Sequence, residues 1–268
     1  MTAREYARRL VPFETRVRIA LLRRRARDAR ARLRFATGRA PAHRFPFEWA
    51  RYQRPFIDYP GQEQLGVAKR RNQALLASAL DGVVVASGEV FSLWRIAPRP
   101  SAARGYAPAA ALRRGELVTD IGGAICLLST ALYNAALLAG LEVLERHCHS
   151  VDSYGQARYF ELGRDATIEY GYLDLRFRNP HPTTVQFSVA TTQSAVTAAV
   201  RAALPAPGRV ELVVTPAELV TIPGWGPGLR VRTIRRSHNP DAVASVEDLG
   251  FSVYRSVPGV AAEPIRIG

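Results

Sequence analysis

The chain has 268 residues, 47% of them hydrophobic, and a formal net charge of +14 from 37 basic and 23 acidic side chains. This is enough apolar material for a sizeable core, in one large domain or a main domain with appendages, and it excludes a disordered protein. Two cysteines, Cys126 and Cys148, are too few for a disulfide framework or a zinc ribbon, and no stretch approaches the ~20 apolar residues that span a bilayer.

The basicity is local. Residues 1–60 hold 16 Arg against 5 acidic residues, while the rest of the chain is close to balance. Only one of the 37 basic residues, Lys69, is a lysine, so the arginines read as easily as a compositional bias as phosphate-gripping chemistry, and a nucleic-acid partner is not expected. Residues 1–37 read as helix, broken by Pro12 and ended near Gly38. The short apolar run "VRIALL" is followed at once by "RRRAR", the wrong flank for a cleaved leader, which predicts a cytoplasmic protein. A basic helix carrying Leu21, Leu22, Leu33 and Phe35 can lie against the inner face of a membrane. The plainer expectation is that its apolar side docks on its own domain with the arginines solvated. The aromatic, proline-rich connector that follows, with Phe45, Phe47, Trp49, Tyr52, Phe56 and Tyr59, is too apolar to swing free and should wrap the core.

From Gly66 to Asp81 apolar residues recur at helical spacing, with Gly82 as the stop. "VVVASGEVFSLW" reads as strand, turn, strand, and residues 95–121 as a long Gly-, Pro- and Ala-rich loop of the kind that often carries function. A second helix begins after Gly123, with Ile125, Leu128, Leu132, Ala135 and Ala136 as its buried stripe. "LEVLERH" follows as a strand. The remainder, from "DATIEYGYLDLRFRN" to "FSVYRSV", reads as β, and the whole as an α+β domain with helices packed on a mostly antiparallel sheet. The turn Asn179-Pro180-His181-Pro182 places His181 in solvent.

Cys126 falls in the first turn of that second helix, where free N–H groups and the helix dipole favour an anion, so its thiol should ionise more easily than usual. Gly122 and Gly123 would let a substrate approach the backbone, and the Cys126 N–H could serve an oxyanion. The bland alternative is that Cys126 is one more small apolar side chain in a buried helix. A nucleophilic cysteine needs a base and a group to orient it. His149 ends the following strand and Asp165 lies beyond it, the chain order of papain- and transglutaminase-like triads. If "LEVLERHCHS" is one strand, His147 shares a face with His149 and competes with it, and Cys148 turns to the core. Tyr106, Asp120 and Asp174 are weaker candidates to line a cleft near Cys126. The spacings CxxC and HExxH are absent, so no metal is expected from Cys126, His147, His149 and Asp165, and no phosphate-cradling or cofactor motif is present.

The stretches "NQALLASALDGVVVASGEVFSLWR", "DIGGAICLLSTALYNAALLAGLEVLERHCHS" and "GRDATIEYGYLDLRFRN" resemble the VanW family over about residues 66–190. The resemblance implies a cell-envelope role without an established activity, and maps the family's characteristic residues onto Gly122, Gly123, Cys126, His149, Gly163, Asp165 and Ala166, with Asp174 in the strand after. Two positions depart from the family: Ala124 stands where a third glycine is usual, and Leu127 where a glutamine amide would be able to hydrogen-bond a substrate. The expected organisation is a basic helical extension and connector at 1–60, a core at 61–200 and a C-terminal β extension at 201–268. Two readings follow. One is a hydrolase or acyltransferase acting on an amide or ester such as a peptidoglycan-type peptide, with Cys126, His149 and Asp165 catalytic and Gly122, Gly123, Tyr106, His147 and Asp174 at the substrate. The other is a binding or scaffold module in which the same cluster is structural.

Overall fold

The computed structural model describes residues 11–57, 63–113, 116–152, 158, 160–238 and 244–256; the first ten residues of the expected N-terminal helix and Tyr59 lie outside them. The fold is α+β with mostly antiparallel pairing. At its centre is α4 (Cys126–Leu138), which follows the one-turn helix α3 (Leu93–Ile96) in the chain and in which every residue from Leu127 to Leu137 is buried. A helix apolar on all sides belongs inside a core, and each fully buried leucine such as Leu128 or Leu132 contributes roughly 1.5–3 kcal/mol relative to exposure. One side of α4 packs on a four-stranded sheet ordered β1 (Phe47–Pro55), β10 (Ala195–Ala202), β9 (Val185–Thr191) and β2 (Val84–Val85). The buried Ala198 and Ala202 of β10 let the helix come close. Packed against β9, α2 (Glu63–Leu80) supplies Leu76 and Leu80 to the same core.

The connector expected around residues 45–59 is thus not a wrapping coil. Its central part is strand β1, paired along its length with β10 from Phe47↔Ala202 to Pro55↔Ala195. Pro55 is tolerated because it ends an edge strand, where no further ladder bond is lost. The loop expected at 95–121 contains an antiparallel pair, β4 (Pro108–Arg113) and β5 (Glu116–Ile121). "DATIEYGYLDLRFRN" is a strand only at β8 (Arg176–Arg178), between β3 (Val90–Ser92) and β6 (Glu142–Glu145). Before it the chain turns through Gly171, whose φ of 85° is the left-handed conformation glycine tolerates. A C-terminal sheet is built from β11 (Arg209–Val214), β13 (Gly226–His238), β14 (Ser245–Ser256) and the short β7 (Val151–Asp152), with β12 (Glu218–Ile222) on β13.

The basic helix is α1 (Phe13–Arg30), shorter than expected: its last turn gives way at Ala31, and the following chain bridges Phe35 to Val90. It docks on its own domain, but not by hydrocarbon alone. The side facing the domain runs from Val17 to Arg24 and Asp28, while Leu22 is 62% exposed. Asp28 takes a bidentate pair from Arg176, both bonds 2.8 Å, and a third bond from Arg95 at 2.8 Å. Arg24 pairs with Glu145 and donates to Tyr172 O at 2.9 Å. Burial would raise the Glu145 carboxyl, but bonds from His147 and Arg24 hold it at about 2. No helix of the described residues is long and apolar enough to cross a membrane.

Candidate functional site

The turn that opens α4 is held by α2. Asn72 donates to Ala107 O at 2.9 Å and Gly123 O at 3.0 Å and accepts from Ala107 N at 2.8 Å, while Gln73 donates to Ala124 O. Both side chains are fully buried, which makes this amide pair on the inner face of an amphipathic helix a device for fixing backbone. The turn has room for little else. A Cβ on Gly123 would lie 2.1 Å from Ala109 O, and one on Gly122 would lie 2.4 Å from the Pro100 ring. Ala124 has φ 62°, a left-handed value that costs an alanine about 1–2 kcal/mol. The family's usual glycine there has a conformational reason. Ala124→Gly should stabilise the chain by about 0.5 kcal/mol, read as a higher urea midpoint, because relief of strain outweighs the extra freedom of the unfolded glycine.

The segment carrying Asp165 is held by α4 itself. Ser129 donates to Ala166 O at 2.6 Å, Thr130 accepts from Ala166 N at 3.1 Å, and Asn134 donates to Arg164 O at 2.7 Å. These are the polar residues of "STALYNAA" in an otherwise apolar helix. They set Asp165, which is fully buried, beside the end of the chain leaving β6.

The three expected centres meet. Asp165 Oδ2 accepts from His149 Nδ1 at 2.6 Å and from His149 N at 2.7 Å. The imidazole and the Cys126 thiol line the same cleft, and of the groups that lower the thiol His149 acts most strongly. Cys126 also contacts Thr167 Oγ1 at 3.6 Å. It is only partly shielded and, with His149, lines a cleft of about 660 Å³. The His149 ring stacks on Phe160, centroids 5.0 Å apart. Burial alone would raise the Cys126 thiol, but the bond and charge of His149, with help from Ile168 and Thr167, bring it below its ordinary value. Burial would lower His149, yet Asp165 and Cys126 raise it to about 9. Burial would raise Asp165, and His149 and Arg146 hold it down. The arrangement favours a thiolate beside an imidazolium.

Gly122, Gly123 and Asp120 line the cleft with Cys126; Tyr106, His147 and Asp174 do not. Tyr106 is buried, and a Cβ on Gly122 would lie 3.6 Å from its ring, so it supports the turn from behind. His147 bonds Glu145 Oε1 at 3.1 Å, away from His149. The two histidines were expected on one face of a strand, but β6 stops at Glu145 and the chain beyond is irregular. Arg146 causes the divergence, reaching across to Asp165 through bonds of 2.6 Å to its carbonyl and 2.8 Å to Oδ1. Asp174 is spent on structure, accepting from Ser92 Oγ at 2.6 Å, Trp94 N at 3.1 Å and Arg176 Nε at 3.0 Å. His181 is not solvated: its ring bonds Ala139 O at 3.0 Å and meets Trp49 edge-on. Cys148 is partly buried against a second small core of Phe160, Val231 and Tyr254.

Two residues of the site carry no catalytic signal in the sequence. Arg146 sits inside "ERHCHS", where neither its burial nor its bond to Asp165, well beyond it in the chain, is visible. Tyr254, which donates to Asp165 Oδ1 at 2.5 Å, carries no local signal in "FSVYRSV". Among the described residues no group of three or more His, Cys, Asp and Glu is arranged to hold a metal.

The family model described as "VanW like protein" matches residues 68–201. Over 114 residues, 42% of this chain and 36% of the relative, the sequence is 35% identical to the uncharacterized protein YoaR of Bacillus subtilis (strain 168). Over 119 residues, 44% of this chain and 43% of the relative, it is 33% identical to the vancomycin B-type resistance protein VanW of Enterococcus faecalis (strain ATCC 700802 / V583). The match spans less than half the length of either relative. No solved structure matches.

Proposed function

The chain belongs to the VanW family, and from that premise we propose that it is a cysteine-dependent hydrolase or acyltransferase acting on an amide or ester, with a peptidoglycan-type peptide as the substrate class. The name of the Enterococcus faecalis relative supports a connection to vancomycin resistance. The observation that carries the chemistry is the His149–Asp165 pair, joined at 2.6 Å, facing one cleft together with the Cys126 thiol.

In this reading the Cys126 thiolate attacks the carbonyl carbon, forming a C–S bond while the carbonyl electrons move to oxygen. Amides 122, 123, 124 and 128 are already used, donating to Ala107 O, Asp120 O, Ala110 O and Ile125 O, so the oxyanion is served by the Cys126 amide at the start of α4. Collapse of this intermediate breaks the bond to the leaving amine or alkoxide, which takes its proton from the His149 imidazolium. The neutral imidazole then removes a proton from water or an acceptor amine as that nucleophile attacks the thioester, and the C–S bond breaks. Asp165 fixes the tautomer by holding Nδ1–H, and does not itself move a proton.

Incubation with p-nitrophenyl acetate should leave an acetyl group on the Cys126 peptide in mass spectra, absent from Cys126→Ser and retained in Cys148→Ser. An unmodified Cys126 with turnover no faster than in Cys126→Ser sinks the reading. One observation favours the scaffold alternative. Leu127, which lines the cleft, has no amide to offer a substrate where the family usually carries glutamine. Under that alternative Cys126→Ser lowers stability and changes nothing else.

A further inference from the structure

The carboxylate behind His149 is held from two directions. On one side α4 fixes the backbone of residues 164–166. On the other, the C-terminal sheet grips the preceding glycine: Tyr254 Oη accepts from Gly163 N at 2.7 Å, and Thr233 donates to Gly163 O at 3.1 Å. Gly163 has φ 81°, and a Cβ there would meet Thr233 Oγ1 at 2.5 Å, so the strands fit a glycine and nothing larger. With its oxygen engaged by Gly163, the Tyr254 hydroxyl directs its proton to Asp165 Oδ1 at 2.5 Å. Arg146 bonds the same oxygen at 2.8 Å, its other nitrogen anchored on Ser252 Oγ at 2.6 Å and its plane over the Tyr133 ring. Each carboxylate oxygen therefore has two donors: Arg146 and Tyr254 on Oδ1, the His149 ring and backbone on Oδ2.

We infer that the C-terminal sheet is a working part of the site, with Tyr254 a positioning residue that turns Oδ2 of Asp165 toward His149 and tempers its pull on the imidazole proton. The inference rests on the catalytic reading above for its consequence, but not for its test. Tyr254 and Ser252 lie beyond residue 201, where the family match ends. The titratable and charged groups around His149 are Asp165 and Cys126 in direct contact, then Arg146 and Tyr254 behind the carboxylate, with Tyr133 and Cys148 near Arg146.

Tyr254→Phe keeps the ring and removes the hydroxyl. Oδ1 then loses a donor, the carboxylate charge is less engaged elsewhere, and the imidazolium gains. In the full chain, NMR titration of the His149 ring should show its midpoint rising by about half a pH unit. A ring-fluorinated tyrosine at position 254, a stronger donor with the packing kept, should move it the other way, and answers the question even if Tyr254→Phe folds poorly. An unmoved midpoint in the fluorinated protein, or one that falls in Tyr254→Phe, overturns the inference and leaves Tyr254 as packing alone. The imidazole midpoint is read whether or not Cys126 transfers acyl groups, so absence of an acetyl adduct and absence of this shift are separate failures.

Discussion

His149→Ala is expected to slow labelling of Cys126 by iodoacetamide at pH 7 by about tenfold or more. Burial raises the thiol, and the imidazole, helped by Ile168 and Thr167, brings it below its ordinary value. Remove the imidazole and only the lesser contributions of Ile168 and Thr167 oppose burial, so the thiolate fraction at neutral pH falls. Peptide-resolved mass spectrometry separates Cys126 from Cys148, whose thiol burial pushes up. In the wild type the rate should be nearly flat between the depressed thiol value and about 9, where His149 gives up its proton. The sign for stability follows from the same shift. A histidine raised from 6.5 to about 9 contributes stability that is fully present below pH 6.5 and is lost as pH rises through about 9. The difference in urea midpoint between the wild type and His149→Ala should shrink across that window. Equal labelling rates in the two proteins would remove the case for an activated thiol.

Gly123→Ala should be the most damaging single methyl that can be added near the site. Its Cβ would lie 2.1 Å from Ala109 O and 2.8 Å from Ala110 O, both backbone atoms of β4 that have no rotamer to move aside. Either the β4–β5 pair shifts away from α4 or the turn opens, and both changes break the bond of Ala124 N to Ala110 O at 2.7 Å and the Asn72 bridge. The expected loss is at least about 3 kcal/mol in urea denaturation. Restoration of a glycine one position on has the opposite sign, as argued for Ala124. A mild effect at Gly123 would mean that the turn does not pack on β4 as described.

How much of this was readable beforehand depended on the range of the interactions involved. Cys126, His149 and Asp165 were legible because the first turn of a helix and the end of a strand are local facts, announced by Gly122 and Gly123 and by apolar spacing. The strands β9 and β10 were legible from runs such as "VQFSVAT". The β4–β5 pair was not, since "PAAALR" has no alternation of apolar and polar residues to set it apart from a loop. β1 was hidden by the prolines on either side of it, which look like a connector until β10 supplies the ladder. The strand expected at "DATIEYGYLDLRFRN" was overcalled because its β-branched and aromatic residues face a turn at Gly171. Asn72, Gln73 and Tyr254 act on backbone or carboxylate 35 to 89 residues away. No short window of sequence contains both ends of such a contact.

The charged seam between α1 and its domain has one more consequence. Hydrocarbon contacts tolerate sliding, because one leucine serves nearly as well as the next. Asp28 does not. It sits against Arg176 and Arg95, and moving α1 by one residue would swing its carboxylate through about 100°, break the bidentate pair with Arg176 and take from Arg95 the carboxylate it bonds. The first helix can therefore engage in one alignment only, like a key cut with a single tooth. An arginine-rich helix thus owes its unambiguous seating to its one aspartate, with the Arg24–Glu145 pair set one turn before it.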